Sequence, residues 1–185
     1  MVGMDGDMCL RQAYDAIYQG DFESAVYWFG RAIELDPGNA AYYHRASITC
    51  ARSGKLQLAM DYALKALELN PDEPSYRLNL RMIQSKQRIA EVRQLLSQPT
   101  PDIASCIALM REAVQLDPLS AEANLVLGVL YRMQQNYSQA LGFLRDALQL
   151  EPGLEEAKRL MSEIRAERRR VIKQQYKIYH TKRKR

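Results

Sequence analysis

The chain has 185 residues, 47% of them hydrophobic, with a net charge of +4. That length bounds it to one modest domain or one repeat array, and no run approaches the 18 apolar residues a membrane-spanning helix needs. The opening stretch MVGMDGDMCL is acidic, has no apolar h-region and no glycine after Met1, so it shows neither a secretory signal nor a myristoylation motif, and the cytoplasm is the expected compartment.

Residues 7–19 read as a first helix, with Leu10, Ala13, Ala16 and Ile17 at helical spacing. Gly20-Asp21 makes a turn, and Asp21 is an N-cap for a helix over 22–35. Trp28 and Phe29 sit in the middle of that helix, where large aromatics mostly bury area. Pro37-Gly38-Asn39 breaks the chain. A third helix begins at Ala40 and reaches the turn at Gly54, and a fourth runs from Leu58 to Leu69 before Asn70-Pro71.

The stretch from Ser75 to Gln98 has no Pro or Gly. Its apolar stripe of Leu78, Met82, Ile89, Val92 and Leu96 is interrupted at Ser85, which predicts one long helix or two with a break there. Thr100-Pro101-Asp102 reads as N-cap, N1 proline and first-turn carboxylate for a helix ending at Leu116. Residues 121–152 then place Leu127, Gly128 and Tyr131 on one helical face. The turn Gln135-Asn136-Tyr137 follows, then Ala140, Leu144 and Ala147 on a second helix that Pro152 closes. A last helix starts near Leu154, and its Leu160, Met161 and Ile164 are suited to cover the end of the preceding pair.

The pattern of 121–152 resembles the tetratricopeptide repeat, a helix–turn–helix unit of about 34 residues. The same slots fill upstream with Ala25, Phe29, Ala32 and Pro37, and again with Ala59, Ala63, Ala66 and Pro71, each 34 residues on. Ala113 to Ala147 and Pro118 to Pro152 keep that period, whereas Pro71 to Pro118 is 47, a surplus of 13. The resemblance implies an all-α solenoid of repeats at about 6–39, 40–73, 87–120 and 121–154, with an insert near 74–86 and a capping helix and basic tail over 155–185. The surplus would add about 20 Å if helical. Within this frame Cys9, Cys50 and Cys106 fall on packing slots. They lack C-x-x-C spacing, and only His44 and His180 stand elsewhere, so they are read as buried small hydrophobes.

The resemblance also implies a scaffold whose first helices line a groove for a protein or peptide partner. Carried onto this chain, the groove positions are Leu10, Tyr14 and Ile17, then His44, Arg45, Ile48 and Arg52, then Arg88, Glu91 and Leu95, then Leu125, Val129 and Arg132. Arg45 and Arg52 are seven apart and share a face, and the arginine fork suits carboxylates. The carboxylate clamp of chaperone-binding relatives is not expected, since its slots hold Leu10, Tyr14, Arg45, Arg88 and Val92 and keep basic character only at Arg45 and Arg88.

Residues 165–185 carry +9 against −5 for the rest of the chain. The cations are Arg165, Arg168, Arg169, Arg170, Lys173, Lys177, Lys182, Arg183, Lys184 and Arg185, with Glu167 the lone acid. Three readings stay open: a solvated helix end; nucleic acid, with Tyr176 or Tyr179 stacking on bases; and an anionic membrane surface or acidic protein, with Ile172, Tyr176 and Tyr179 three to four apart among basic neighbours as in an interfacial helix. Lys182–Arg185 would serve as a nuclear import signal in a eukaryote. No phosphate-binding Gly-rich loop, nucleophile–base pair or metal-type ligand cluster stands out. Glu155-Glu156 suits a helix N-terminus. No enzyme, cofactor or metal is expected.

Overall fold

Helices of 13 and 14 residues alternate along the chain because its small and apolar residues recur at helical spacing between turn signals. The computed structural model describes residues 5–182. Among these there are nine α-helices and no strand: α1 Gly6–Tyr18, α2 Phe22–Leu35, α3 Ala40–Arg52, α4 Leu56–Leu69, α5 Pro74–Leu96, α6 Ile103–Leu116, α7 Ala121–Met133, α8 Tyr137–Leu150 and α9 Glu155–Lys182. The architecture is the all-α helix–turn–helix solenoid class that the repeat frame implies.

Local chemistry sets the ends. Asp5, Asp21, Asn39, Ser120 and Asn136 each accept a backbone N–H of the following helix through a side-chain oxygen. The turns within the pairs need one left-handed residue. Gly20 and Gly54 supply it at φ +77° and +79°, and Gln135 does so at φ 59° despite its Cβ. Three expected boundaries move. Helix α4 starts at Leu56 rather than Leu58, and Tyr137 opens α8 instead of closing the turn. The cap of α6 is Asp102, not Thr100, because its carboxylate takes the N–H groups of Ala104 and Ser105 and the Ser105 hydroxyl at 2.6 Å. Pro101 lies before the helix.

Helix α5 is one helix of 23 residues and runs through Ser85, which is buried. Its first 13 residues keep the 34-residue step from α3, so that Ile48 corresponds to Met82 and Arg52 to Lys86. Its remaining ten keep the same step to α7, with Arg88 corresponding to Glu122. The surplus of 13 residues is therefore one first-helix length. The helical part of that surplus is ten residues, about 15 Å rather than 20 Å. The other three lengthen the loop after Leu96, where Pro99 disfavours continued helix.

The chain divides into two compact units within α5, after Gln87. In the first, Cys9, Ala13, Phe29, Ala32 and Ala46 form a core between α1, α2 and α3, and Cys50, Ala59, Ala63 and Ile83 form a second. In the second unit the core gathers Val92, Cys106, Met110, Leu127, Leu130 and Leu144, and α9 adds Ala157, Leu160, Met161 and Ile164 against α8. Small residues let the helices approach. A Cβ on Gly128 would lie 2.6 Å from Leu144 Cγ. All three cysteines are free and fully buried, and burial pushes the Cys50 thiol up to about 11.

Candidate binding face

In the first unit the outward face of α3 meets the start of α5, and sequence spacing explains which residues share it. Ile48 and Arg52 are four apart on α3, as are Met82 and Lys86 on α5, so each pair occupies one stripe. Together with Ala51, Asn79 and Ile83 they line a pocket of about 260 Å³. Ile48 and Met82 remain 38% and 40% exposed.

A buried polar contact holds the two helices in register beneath this pocket. The Asn79 amide donates to Ser47 Oγ at 2.6 Å, and the Ser47 hydroxyl donates to the His44 carbonyl at 2.7 Å. The His44 ring lies 4.5 Å from the Tyr76 ring, and its Nδ1 is buried without a hydrogen-bond partner. Burial lowers the His44 pKa, opposed by the nearby Glu73 carboxylate and aided by Arg45.

The cations around the face stack on rings. The Arg45 guanidinium sits 5.7 Å over the Tyr14 ring, and that of Arg52 sits 5.4 Å over Phe22. Tyr14 in turn meets Phe29 edge-on at 6.1 Å. Among the described residues Arg45, Arg52 and Lys86 make no ion pair. An arginine stacked on an aromatic face keeps its N–H donors directed at solvent or a ligand. The structure thus brings Tyr14, His44, Arg45, Ile48 and Arg52 onto α1 and α3 of one unit. Asn79, Met82 and Lys86 join this face unforeseen, although a 34-residue step from Arg45, Ile48 and Arg52 points to them.

In the second unit the expected groove positions are occupied by internal contacts. Arg88 pairs with Glu91 at 3.0 Å and with Glu112 at 3.2 Å. Leu125 is 9% exposed within the core, and Val129 is half-buried against it. Arg132 reaches across to α9, where it holds Glu163 at 2.8 Å and also Glu167. On α9 the side chains of Arg168, Arg169, Arg170 and Lys173 are exposed. The side chains of Lys177 and Lys182, and all of Arg183, Lys184 and Arg185, lie outside the described residues.

A further pocket of about 440 Å³ on the first unit is lined by Met8, Arg11, Gln12 and Trp28. Among the described residues, no group of three or more His, Cys, Asp or Glu is placed to hold a metal ion. No described helix is long and apolar enough to cross a membrane.

Two family models, both described as tetratricopeptide repeat, match residues 10–74 and 102–164. The stretch between them is α5 and its loop. Serine/threonine-protein phosphatase 5 of Mus musculus is 39% identical over 59 residues, which is 32% of this chain and 12% of that protein. The protein STIP1 homolog of Dictyostelium discoideum is 30% identical over 123 residues, 62% of this chain and 22% of that protein. The chain thus spans under a quarter of either relative. Among solved structures, MamA residues 41 to the end from Desulfovibrio magneticus RS-1 superposes with a TM-score of 0.53 at 14% identity, covering 100% of this chain and 99% of that one. The hetero-tetramer Cut9-Hcn1 of APC/C gives 0.53 at 14% identity over 87% of this chain and 30% of that one. At such identity the likeness is one of fold. With the 34-residue step, the capped helix pairs and both sequence models in agreement, the chain belongs to the tetratricopeptide-repeat family.

Proposed function

We propose that this chain is a non-catalytic protein-interaction scaffold, and that the α1–α3–α5 face of its first unit takes an acidic peptide segment carrying one apolar side chain. The observation that carries this reading is the pocket itself. It is lined by apolar Ile48, Ala51, Met82 and Ile83 together with Arg52 and Lys86, cations that make no ion pair among the described residues. An apolar side chain entering it gains by leaving water, and carboxylates beside it meet arginine donors. The chain's tetratricopeptide-repeat membership supports the reading, since the faces of such repeats bind protein segments. Three unpaired cysteines suit a reducing compartment, and we place the protein in the cytoplasm or nucleus.

The test is fluorescence polarisation with a labelled peptide of Asp and Glu around one central Leu. Met82→Glu puts a carboxylate in the pocket lining and Arg52→Glu reverses one of its charges. Each should weaken binding by about tenfold or more, roughly 1.4 kcal/mol. A peptide that binds both variants as tightly as the parent would remove this face from consideration.

A further inference from the structure

Helix α9 outruns its packing. Ala157, Leu160, Met161 and Ile164 bury against the last repeat, but from residue 165 to residue 175 every described side chain is exposed or only half-buried. In this stretch Arg165, Arg169 and Lys173 are four apart. They form a ladder on one face, with steps of about 6 Å along the axis and about 40° around it. In sequence the step continues to Lys177.

Among the described residues no carboxylate pairs with this ladder. The one acid of the stretch, Glu167, is held by Arg132 of α7. Among the described residues Arg165, Arg168, Arg169, Arg170 and Lys173 make no ion pair. Like charges at i,i+4 repel on a helix surface. The helix dipole favours cations only in the last turn, and α9 ends at Lys182, nine residues beyond Lys173. The ladder is thus a cost to the free helix, which a regularly repeating anion would remove.

We propose that the Arg165–Arg169–Lys173 face of α9 binds the phosphate backbone of a nucleic acid strand. The neighbouring chemistry selects this ligand. Among the described side chains from 165 to 175, Ile172 is the one exposed large apolar residue, and it lies within the cationic arc; in sequence Tyr176 and Tyr179 continue its spacing, and aromatics stack on bases. An interfacial membrane helix needs a broad apolar face, and a protein interface needs an apolar core. Phosphate contact needs charge alone, without sequence readout.

The experiment measures binding of the full chain to a fluorescein-labelled oligouridylate of about 20 nucleotides across a salt series. Each neutralised phosphate of a single strand contributes a slope of about 0.7, so the three ladder cations account for about 2 in the slope of log K against log salt. The Arg165→Gln, Arg169→Gln, Lys173→Gln triple variant should lose that amount with helicity unchanged by circular dichroism. The control triple Arg11→Gln, Arg77→Gln, Arg145→Gln removes the same charge elsewhere and should lose less than half as much. Three results each overturn the proposal: no binding of oligouridylate at low salt, equal loss in the control triple, or binding of anionic phospholipid vesicles or polyglutamate in its place.

Discussion

Gly128→Ala sets two opposed effects against each other at one position. Alanine is favoured over glycine within a helix by about 1 kcal/mol. The added Cβ, however, would stand 2.6 Å from Leu144 Cγ and 2.7 Å from its Cδ2, with the Ala140 carbonyl at 3.4 Å. Carbon atoms in contact prefer about 3.5–4.0 Å, so the side chain must retreat by about 1 Å. Leu144 is fully buried and has no open side. Overpacking of this kind costs about 1–3 kcal/mol. The net expectation is a loss of about 1 kcal/mol for the α7–α8 pair. Repeat arrays need not unfold in a single step, so the assay is native-state hydrogen exchange of α7 and α8 amides, whose protection should fall by about fivefold. The decisive arm repeats the substitution in a Leu144→Ala background. There the clash is gone and Gly128→Ala should stabilise by about 1 kcal/mol, a coupling of about 2 kcal/mol. If alanine is equally stabilising in both backgrounds, the α7–α8 contact is not limited by the missing Cβ.

Gln135→Gly should stabilise the α7–α8 turn by about 1 kcal/mol, since the left-handed conformation costs a residue with a Cβ about that much; α7 and α8 exchange protection should rise. The helix caps give a pH dependence. The Ser24 hydroxyl and backbone N–H hold the Asp21 carboxyl below its usual range, and those of Ser105 do the same for Asp102. A carboxyl with a depressed folded value contributes stability above its unfolded value, near about pH 4, and loses it as pH falls through the folded one. An Asp21→Asn, Asp102→Asn variant keeps acceptors without this titration, so its urea midpoint should drop less between about pH 6 and about pH 3 than that of the parent. An equal drop would assign the acid sensitivity to other groups.

Most of the repeat core was legible because its slots are filled by residues with one physical use. Ala25, Ala59, Ala113 and Ala147 sit where helices touch, and Asp21 precedes an apolar run that leaves N–H groups to cap. The fused helix was harder to read. Ser85 interrupts the apolar stripe, but a single buried serine is cheap in a helix, so the chain runs through it. Thr100 lost to Asp102 as a cap because a carboxylate two residues on accepts two N–H groups and a hydroxyl. Of the face on α3 and α5, Ile48 and Arg52 followed from the repeat frame. Asn79, Met82 and Lys86 did not, because α5 obeys the frames of both neighbours and only the later one was applied to it. The pairing of Arg132 with Glu163 and Glu167 joins residues 31 and 35 apart, where sequence carries no periodic mark.

The double register of α5 limits how the protein can be taken apart. A cut at the division after Gln87 would fall in mid-helix, leaving four carbonyls without partners on one side of the scar and four N–H groups on the other. It would also part Ile83 from Ile89, which belong to separate cores. Usable fragments must therefore overlap, one ending at Leu96 and the other beginning at Pro74. Each would then carry the whole of α5, so the two cannot be mixed to rebuild the intact chain without a surplus copy of that helix. In this molecule the seam is itself a structural part, a single helix whose two ends serve different cores.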